Sequence, residues 1–352
     1  MTVREDLLQE PNHQKPMVLT MGDPAGIGPE IIASAILKRP DLMSGVVVAG
    51  DMQILQQAGE VVARAKRSAP PEWTLLNDLT AWRPQLGSVA VVQACDSVQD
   101  LVLGQVSAKA GHAAAQCIEW AARAALHGRA SAVVTAPVHK EALAAAGVTH
   151  PGHTEYLQAL SAEHKGVTVG ALPVRMMLSC PGLRTVLVSI HVSLRDAIAA
   201  VTEEKVLQTL RITAAHFQRI GMPKLRIAVA GLNPHAGEGG LFGREEVEVI
   251  SPAVVTAQAD GLMVVGPLAP DTVFMRARRG EFDVVIAMYH DQGLIPVKLM
   301  GLDDGVNTTL GLPFVRTSPD HGTAFDLAGS GHAEPSSLLA AIGAARSIGI
   351  QT

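Results

Sequence analysis

Residues 17–38 read MVLTMGDPAGIGPEIIASAILK, and this stretch contains the unit from which the fold is predicted. An apolar run, Met17 to Met21, is followed by a turn rich in Gly and Pro and then by a helical pattern from Pro29 to Lys38. Proline is favoured at an early helical position because its missing N–H is not needed there. A strand, a tight turn and a helix in this order are typical of α/β proteins.

The same unit recurs along the chain. Further Val-rich and Ile-rich runs precede Gly, Pro, Asn or His and then a helical pattern; they span 46–49, 89–92, 132–135, 185–190, 225–230 and 284–288. Most are continuous, as expected of strands covered on both faces, so we expect a mostly parallel sheet. Predicted helices cover Val106 to Leu126 and Glu203 to Ile220. Thr202 is the predicted N-cap of the second helix, and Ser251 before Pro252 suggests another cap.

Composition excludes several classes of protein. The chain has 352 residues, 48% of them hydrophobic, which excludes disorder as the main state and suits about two domains. Lys and Arg number 28 against 33 Asp and Glu, a net charge of −5. No basic field is therefore available to hold nucleic acid or an acidic membrane, and an anionic substrate must meet a few local cations.

The sequence also predicts where the protein works. Its start, MTVREDLLQEPNHQK, lacks the apolar core of a signal peptide, and no apolar run approaches the ~18 residues that cross a bilayer. Cys95, Cys117 and Cys180 are far apart and odd in number, which favours buried reduced thiols over disulfides. We expect a soluble cytoplasmic protein.

Four histidines follow four of the predicted strands within a few residues. They are His139, His191, His235 and His290. The carboxyl ends of strands form the ligand crevice of open α/β sheets, so these side chains converge in principle on one region. Neutral imidazole is a common ligand of divalent metals, and three imidazoles leave positions open for a substrate. The last three histidines are therefore candidate metal ligands, with His139 a fourth member or a neighbour; each could also be a histidine bonded in a turn.

A second cluster is cationic and polar. Lys298, Asn307 and Arg316 are spaced by nine residues each, in a Gly-rich and Pro-rich segment that shows no amphipathic face and suggests a loop. Arg can hold a carboxylate or phosphate with two parallel bonds, and Lys acts as a point charge. His153 and Thr154 stand in a turn that leads into a helical pattern, where donors can reach an anion.

Other motifs are weaker. The turn MGDPAGIGPEI matches neither nucleotide-binding glycine fingerprint, so we interpret it as a tight strand-to-helix turn. Asp271 and Asp291 are isolated carboxylates; Asp291 adjoins His290 and could orient it.

Several unusual strings together carry a resemblance to a known family. They are GDPAGIGPE, TAPVHK, GHTE, GLNPHAGEGG, YHDQGLIPVK, GVNTTLGLPFVRTSPDHGTA and DLAG. In these segments the chain resembles the 4-hydroxythreonine-4-phosphate dehydrogenase family, and the match runs from about Met17 almost to the C-terminus. The resemblance implies a two-lobed fold similar to the isocitrate and isopropylmalate dehydrogenases. Residues 1–140 with 300–352 would form one lobe, with both termini and the NAD contacts, and 141–299 a middle lobe with the metal ligands and the dimer interface.

The resemblance also implies the roles of the candidate residues. His191, His235 and His290 would bind one divalent metal, with zinc favoured and magnesium or cobalt as alternatives, in a homodimer whose active site, in the interlobe cleft, uses both subunits. The substrate contacts would be His153, Thr154, Lys298, Asn307 and Arg316, and the contacts with NAD or NADP would be His321, Gly322, Thr323 and Asp326. The proton acceptor stays open between Lys298, Asp271 and a hydroxide on the metal.

The implied reaction is oxidation of the hydroxyl of a small phosphorylated acid, with subsequent decarboxylation, in pyridoxal phosphate biosynthesis. GDP at Gly22 to Pro24 and His150-Pro151 before Gly152 are more like a second branch of the family, which acts on 4-phospho-D-threonate or 4-phospho-D-erythronate. A further branch oxidises the cis-dihydrodiol of terephthalate. Two rivals of other kinds are a non-catalytic metal or sugar-phosphate binding protein and a zinc hydrolase, although no general-base carboxylate for a hydrolase is evident.

Overall fold

The computed structural model describes residues 15–150, 152–301 and 304–349. Residues 1–14, which carry most of the polar start, and Pro151 lie outside this range. The described strands form a twelve-stranded sheet in the order β3-β4-β2-β1-β5-β12-β11-β6-β7-β10-β8-β9. The strands are β1 (Met17–Thr20), β2 (Val46–Gly50), β3 (Glu72–Leu76), β4 (Ser88–Gln93), β5 (Ala132–Thr135), β6 (Arg175–Cys180), β7 (Leu183–Leu187), β8 (Ile227–Ala230), β9 (Val264–Leu268), β10 (Val284–Ala287), β11 (Val306–Leu310) and β12 (Arg316–Pro319).

The sheet is mostly parallel. Eight of the eleven described pairings are parallel, and the three antiparallel ones join β12, β11, β6 and β7 at the middle of the sheet. The predicted α/β fold with a mostly parallel sheet is therefore confirmed. The antiparallel strands separate two parallel halves, so the middle of the sheet is where the two halves meet.

The helices follow the strands, as the first strand-turn-helix unit predicts. They are α1 (Gly28–Lys38), α2 (Pro40–Met43), α3 (Met52–Lys66), α4 (Ala108–Leu126), α5 (Lys140–Ala145), α6 (His153–Lys165), α7 (Leu194–Ala200), α8 (Glu203–Arg219), α9 (Ser251–Ala259), α10 (Pro270–Arg278), α11 (His290–Met300) and α12 (Ser336–Gly349). None of the helices in the described ranges is long and apolar enough to cross a membrane.

Local sequence explains where α8 begins but not where α9 begins. Thr202 caps α8, as predicted: its hydroxyl accepts a hydrogen bond from the Lys205 N–H at 3.3 Å. The predicted cap at Ser251 is wrong, because a π-helical turn, Glu246–Ile250, runs directly into α9. Ser251 is therefore an interior helical residue.

The buried apolar side chains divide between the two halves of the sheet. One set surrounds β1, β2 and β5 with α1, α4 and α12, and another surrounds β7, β8 and β10 with α8 and α9. Leu143 of α5 and Leu157 of α6 pack with the first half, whereas the predicted division assigns both helices to the middle lobe. The exact domain boundaries stay a prediction.

Candidate active site

A crevice of about 420 Å³ lies at the carboxyl ends of β5, β7 and β10, beside the antiparallel middle of the sheet. This is the edge of an α/β sheet where ligands usually bind. Nine of the residues predicted from the sequence line it: His153, Thr154, His191, His290, Lys298, Asn307, Arg316, His321 and Gly322. The fold thus brings together residues that are up to 169 positions apart in the chain.

Arg316 is the most unusual residue in this crevice. It begins β12 and is only 3% exposed. Its Nη1 donates to Thr309 Oγ1 at 3.0 Å and its Nη2 to Thr135 Oγ1 at 2.7 Å, while its Nε has no partner. Burial lowers the pKa of this guanidinium to about 10, so it is still charged at neutral pH. Among the described residues no carboxylate forms an ion pair with it. The nearby Glu155 charge favours the charged form of the guanidinium but does not form an ion pair with it, so the buried cation still calls for an anionic ligand.

His153 and Thr154 lie at the start of α6, beside Arg316. Gly152 is the N-cap and offers no side chain to the free N–H groups of the first turn, so the positive end of the helix dipole faces the crevice. The Nε2 atom of His153 is buried without a partner among the described residues. Burial and then the charge of Arg316 hold the pKa of His153 well below its usual range. The neutral ring can donate one hydrogen bond and accept another.

Lys298 and Asn307 approach from the other side. His290, Leu294 and Lys298 are spaced by four residues along α11 and line the crevice together, because that spacing places them on one helix face. Lys298 Nζ lies 2.9 Å from Asp320 Oδ2. The Oδ1 atom of Asn307, on β11, is buried without a partner among the described residues. Such orphaned polar atoms mark the places where a bound molecule would complete the hydrogen bonding.

Two of the three predicted metal ligands are neighbours. The ring centroids of His191 and His290 are 5.7 Å apart. His290 Nδ1 lies 2.7 Å from Asp291 Oδ1, an arrangement that orients an imidazole and leaves Nε2 free for a metal. Burial, with Lys140 and His290 nearby, lowers the pKa of His191, which favours the neutral, metal-binding form. His191 has a φ of 45°, a strained value of the kind found at functional sites. The pair fits as two nitrogen donors to a divalent metal.

His235 does not join this pair within one chain. It lies in a left-handed turn with φ of 53°, next to Ala236 with φ of 52°. The Glu246 carboxylate holds this turn by accepting the backbone N–H groups of Leu232 and Asn233, both at 2.7 Å. His235 is exposed and does not line the crevice. In the described part of one chain no group of three or more His, Cys, Asp or Glu side chains is placed to hold a metal ion. The predicted three-histidine site is therefore not assembled by a single subunit.

The predicted cofactor segment lies beside the crevice but enters it only in part. His321 and Gly322 line the crevice, Thr323 is buried, and Asp326 is exposed outside it. The carbonyl of Thr323 accepts the N–H of Ile27 at 3.0 Å, so the GDPAGIGPE turn supports this segment. This turn is the tight strand-to-helix turn that the sequence predicts.

Two other candidates lie elsewhere. His139 stacks on the Phe325 ring with centroids 4.7 Å apart and does not line the crevice. Asp271 is exposed in the first turn of α10 and is not among the crevice residues of its own chain. Of the side chains considered as proton acceptor, only Lys298 therefore faces the crevice within one subunit.

The structure adds polar residues that sequence reasoning did not single out. Thr135, Lys140, Glu155 and Asp320 all line the crevice. The sequence could have indicated these residues, because each lies within a segment that carries the family resemblance: TAPVHK, GHTE or the segment that contains SPDHG.

A mostly parallel α/β sheet with a crevice at the carboxyl ends of its strands is typical of enzymes that bind a small molecule. A family model described as pyridoxal phosphate biosynthetic protein PdxA matches residues 42–345, and the chain belongs to this family. The predicted family and the α/β dehydrogenase class are confirmed.

Named relatives and a solved structure show the same kinship. A 4-hydroxythreonine-4-phosphate dehydrogenase from Beijerinckia indica is 50% identical over 341 residues, which are 96% of this chain and 96% of that protein. A D-threonate 4-phosphate dehydrogenase from Salmonella typhimurium is 42% identical over 332 residues, 93% of this chain and 97% of the relative. The crystal structure of a 4-hydroxythreonine-4-phosphate dehydrogenase from Klebsiella pneumoniae has 40% identity and a TM-score of 0.82, covering 96% of this chain and 98% of that chain. The relatives carry both names that the sequence resemblance implied.

Proposed function

We propose that this enzyme oxidises a hydroxyl group of a small, phosphorylated four-carbon acid with NAD or NADP and a divalent metal. The product is a β-keto acid that can lose carbon dioxide. The observation that carries the proposal is the buried, charged Arg316, which has no carboxylate in an ion pair with it among the described residues and lines the crevice together with Lys298. This arrangement supports an anionic substrate because the negative group would compensate the buried charge.

The residues of the crevice would bind and orient the substrate. Arg316 and Lys298 would hold its phosphate or carboxylate, with the free Nε of Arg316 as an additional donor. Asn307 Oδ1 and His153 Nε2 would bond to its hydroxyl groups, since both are polar atoms without partners among the described residues. The N-terminal N–H groups of α6, at Thr154, would add donors for an anion.

His191 and His290 would hold the metal from one subunit. When bound, the metal would lower the pKa of the substrate hydroxyl and stabilise negative charge on its oxygen. Asp291 would fix the ring of His290. The proposed third ligand is His235 of the partner subunit, because His235 is exposed on a turn next to the apolar side chains Leu241 and Phe242.

Surfaces around the histidine pair support a shared site in a homodimer. A small cavity of about 270 Å³ borders both His191 and His290 and is lined by Val192 and Leu194, which are 52% and 60% exposed. Leu241 and Phe242, beside His235, are 73% and 49% exposed. Exposed apolar surface next to a site is typical of an interface, and in a two-fold dimer each subunit would offer its His235 turn to the other.

The nicotinamide cofactor would lie against the segment that follows β12. His321 and Gly322 line the crevice, and Thr323 is fixed by the N-terminal turn, so the dinucleotide would meet the substrate at this end. Asp326 would contact its adenosine side. Decarboxylation needs no further group on the protein, because a β-keto acid can lose carbon dioxide on or off the enzyme.

A panel of substrates tests this proposal. The purified enzyme is mixed with NAD or NADP, a divalent metal, and 4-hydroxythreonine 4-phosphate, 4-phospho-D-threonate or 4-phospho-D-erythronate. Absorbance of the reduced nicotinamide is followed. We expect reduction with at least one phosphorylated acid, loss of activity with a chelator, and much less activity with the dephosphorylated acid. Absence of reduction with all three acids would exclude the proposal and favour a non-catalytic binding protein.

A further inference from the structure

A second cavity, of about 590 Å³, lies on the opposite face of the sheet from the active-site crevice. Side chains alternate between the two faces of a strand, and this alternation assigns each residue to one cavity. On β6, Met176 lines the crevice and Met177 lines the second cavity; on β11, Asn307 lines the crevice and Thr308 the second cavity. We call this second space the back cavity. It is bounded by β6, β11, the end of α8 and α12, so it spans the junction between the two halves of the sheet.

The back cavity contains a buried imidazole without hydrogen-bond partners. His216, on α8, lines the cavity and is only 4% exposed. Neither its Nδ1 nor its Nε2 has a partner among the described residues. Burial, with a smaller effect from Arg219, lowers the pKa of His216 to about 4, so the ring is neutral at physiological pH. A neutral imidazole offers one donor and one acceptor, and leaving both unused in the interior is costly.

The rest of the lining is mainly apolar and carries no net charge. Most of the lining side chains are apolar: Met177, Pro181, Phe217, Ile220, Met222, Val306, Ala340, Ala344 and Ile348. Arg184 and Asp304 contribute one charge of each sign. The guanidinium of Arg184 lies 5.8 Å from the centroid of the Phe217 ring. A volume of this size suits a small organic ligand, for which the usual range is about 300–1,000 Å³.

We propose that the back cavity is a second ligand site, which takes a neutral aromatic alcohol. The aromatic ring would lie among the apolar side chains around Phe217, and the hydroxyl would bond to His216. An uncharged ligand is favoured because the lining charges cancel and the imidazole is neutral. The hydroxyl matches the imidazole because both can donate and accept one hydrogen bond. The site is distinct from the crevice, since β6 and β11 lie between them.

Calorimetry with the full-length enzyme and three simple probes tests this site. The probes are p-cresol, toluene as its apolar counterpart, and benzoate as an anionic aromatic. We expect p-cresol to bind about 3- to 10-fold more tightly than toluene, the effect of one hydrogen bond in a buried site, and benzoate to bind more weakly than either. The carbon-bound ring-proton NMR resonances of His216 should shift on addition of p-cresol in the wild-type protein.

Three variants locate the binding. His216→Phe keeps the size of the ring and should remove the preference for p-cresol while toluene still binds. Ala344→Leu narrows the cavity and should weaken both probes at least tenfold, while Ala215→Leu, at an exposed position of α8 outside the cavity lining, should change nothing. Melting curves check that each variant folds. Equal binding of p-cresol and toluene, or p-cresol binding that leaves the His216 resonances unchanged, would overturn the proposal.

Discussion

At the scale of single residues, Arg316 is a charged side chain that the fold buries in the wall of the crevice. Two threonine hydroxyls, Thr135 at the end of β5 and Thr309 on β11, hold the guanidinium in place without neutralising it. A neutral hydroxyl accepts a hydrogen bond from a guanidinium N–H group, but it carries no negative charge to compensate the positive one. In the proposed substrate complex, the free energy of binding would include the relief of this buried charge.

Replacing Arg316 by Ala tests this role. We expect kcat/KM for the phosphorylated substrate to fall about 10- to 150-fold, because a charge-assisted hydrogen bond is lost. This factor corresponds to about 1.5–3 kcal/mol of lost binding free energy in the transition state. The dephosphorylated substrate should lose much less. Arg64→Ala, at an exposed position on α3, is the control and should leave both substrates unaffected. An equal loss for both substrates would contradict the assignment of Arg316 to the phosphate.

His216 should make the stability of the protein depend on pH. Its pKa is about 4 in the folded protein, against an ordinary value of 6.5. Between these values the unfolded chain binds a proton that the folded chain does not, so the free energy of unfolding falls as the pH falls from 6.5 towards 4. His216→Phe removes this effect. Urea unfolding at pH 7 and pH 5 should show the wild type losing about 2 kcal/mol more than the variant over this interval.

The matched control is His332→Phe, at an exposed position. This variant should lose stability between pH 7 and pH 5 in parallel with the wild type. If His216→Phe also follows the wild type, the imidazole of His216 is protonated in the folded protein over this range and the proposed low pKa is wrong.

At the scale of elements, the N-terminal turn and the segment after β12 form one packed unit. An added Cβ on Gly26 would lie 2.9 Å from the Thr323 carbonyl oxygen, closer than side chains normally approach a backbone oxygen. Gly26→Ala should therefore displace the segment of His321 to Thr323. We expect the KM for the nicotinamide cofactor to rise more than the KM for the acid substrate, with a loss of about 1–3 kcal/mol of stability from overpacking.

Gly343→Ala is the control for this substitution, because its added Cβ meets no atom within 4 Å and it lies inside α12. An alanine there should stabilise the helix by about 0.5–1 kcal/mol and leave both KM values unchanged. If Gly26→Ala changes the two KM values equally, the segment after β12 has no particular role in cofactor binding.

The elements also show which parts of the fold a sequence can reveal. Each of the seven apolar runs predicted as strands overlaps an observed strand, because continuous apolar sequence is what a strand covered on both faces requires. The prediction of a loop over the segment that contains VNTTL and RTSP is wrong, because these residues form β11 and β12. Their polar residues Asn307 and Arg316 face the crevice, so the function of these strands removes the apolar pattern by which strands are found. The predicted strands also omit β3, β6 and β9; β3 lacks a continuous apolar pattern because its side chains are largely exposed.

At the scale of the whole molecule, the sequence predicts that three histidines end at the ligand edge, but in one chain only two of them line the crevice. His191 and His290 follow adjacent strands, β7 and β10, and therefore meet. His235 follows β8, which also pairs with β10, yet it lies in a left-handed turn and does not line the crevice. The conformation of this turn depends on local backbone geometry and on its hydrogen bonds to Glu246. The hydrophobic periodicity of the sequence reveals neither of them.

A mixture of two inactive variants tests whether the site is shared between subunits. His235→Ala and His191→Ala should each abolish activity, because every homodimeric site then lacks one ligand. After the two are unfolded together and refolded, half of the molecules should be mixed dimers. In each mixed dimer one site lacks both histidines and the other has all three, so about one quarter of the wild-type activity should return.

The control for this experiment is a mixture of His191→Ala with His290→Ala, whose residues lie in the same crevice of one chain. In a mixed dimer of this pair each site lacks one ligand, so no activity should return. Bound metal, measured by mass spectrometry of the native dimers, should follow the same pattern as activity. If mixing His235→Ala with His191→Ala restores nothing while mixed dimers are seen in the mass spectrum, all three histidines serve one subunit or His235 is not a ligand, and the shared site is excluded.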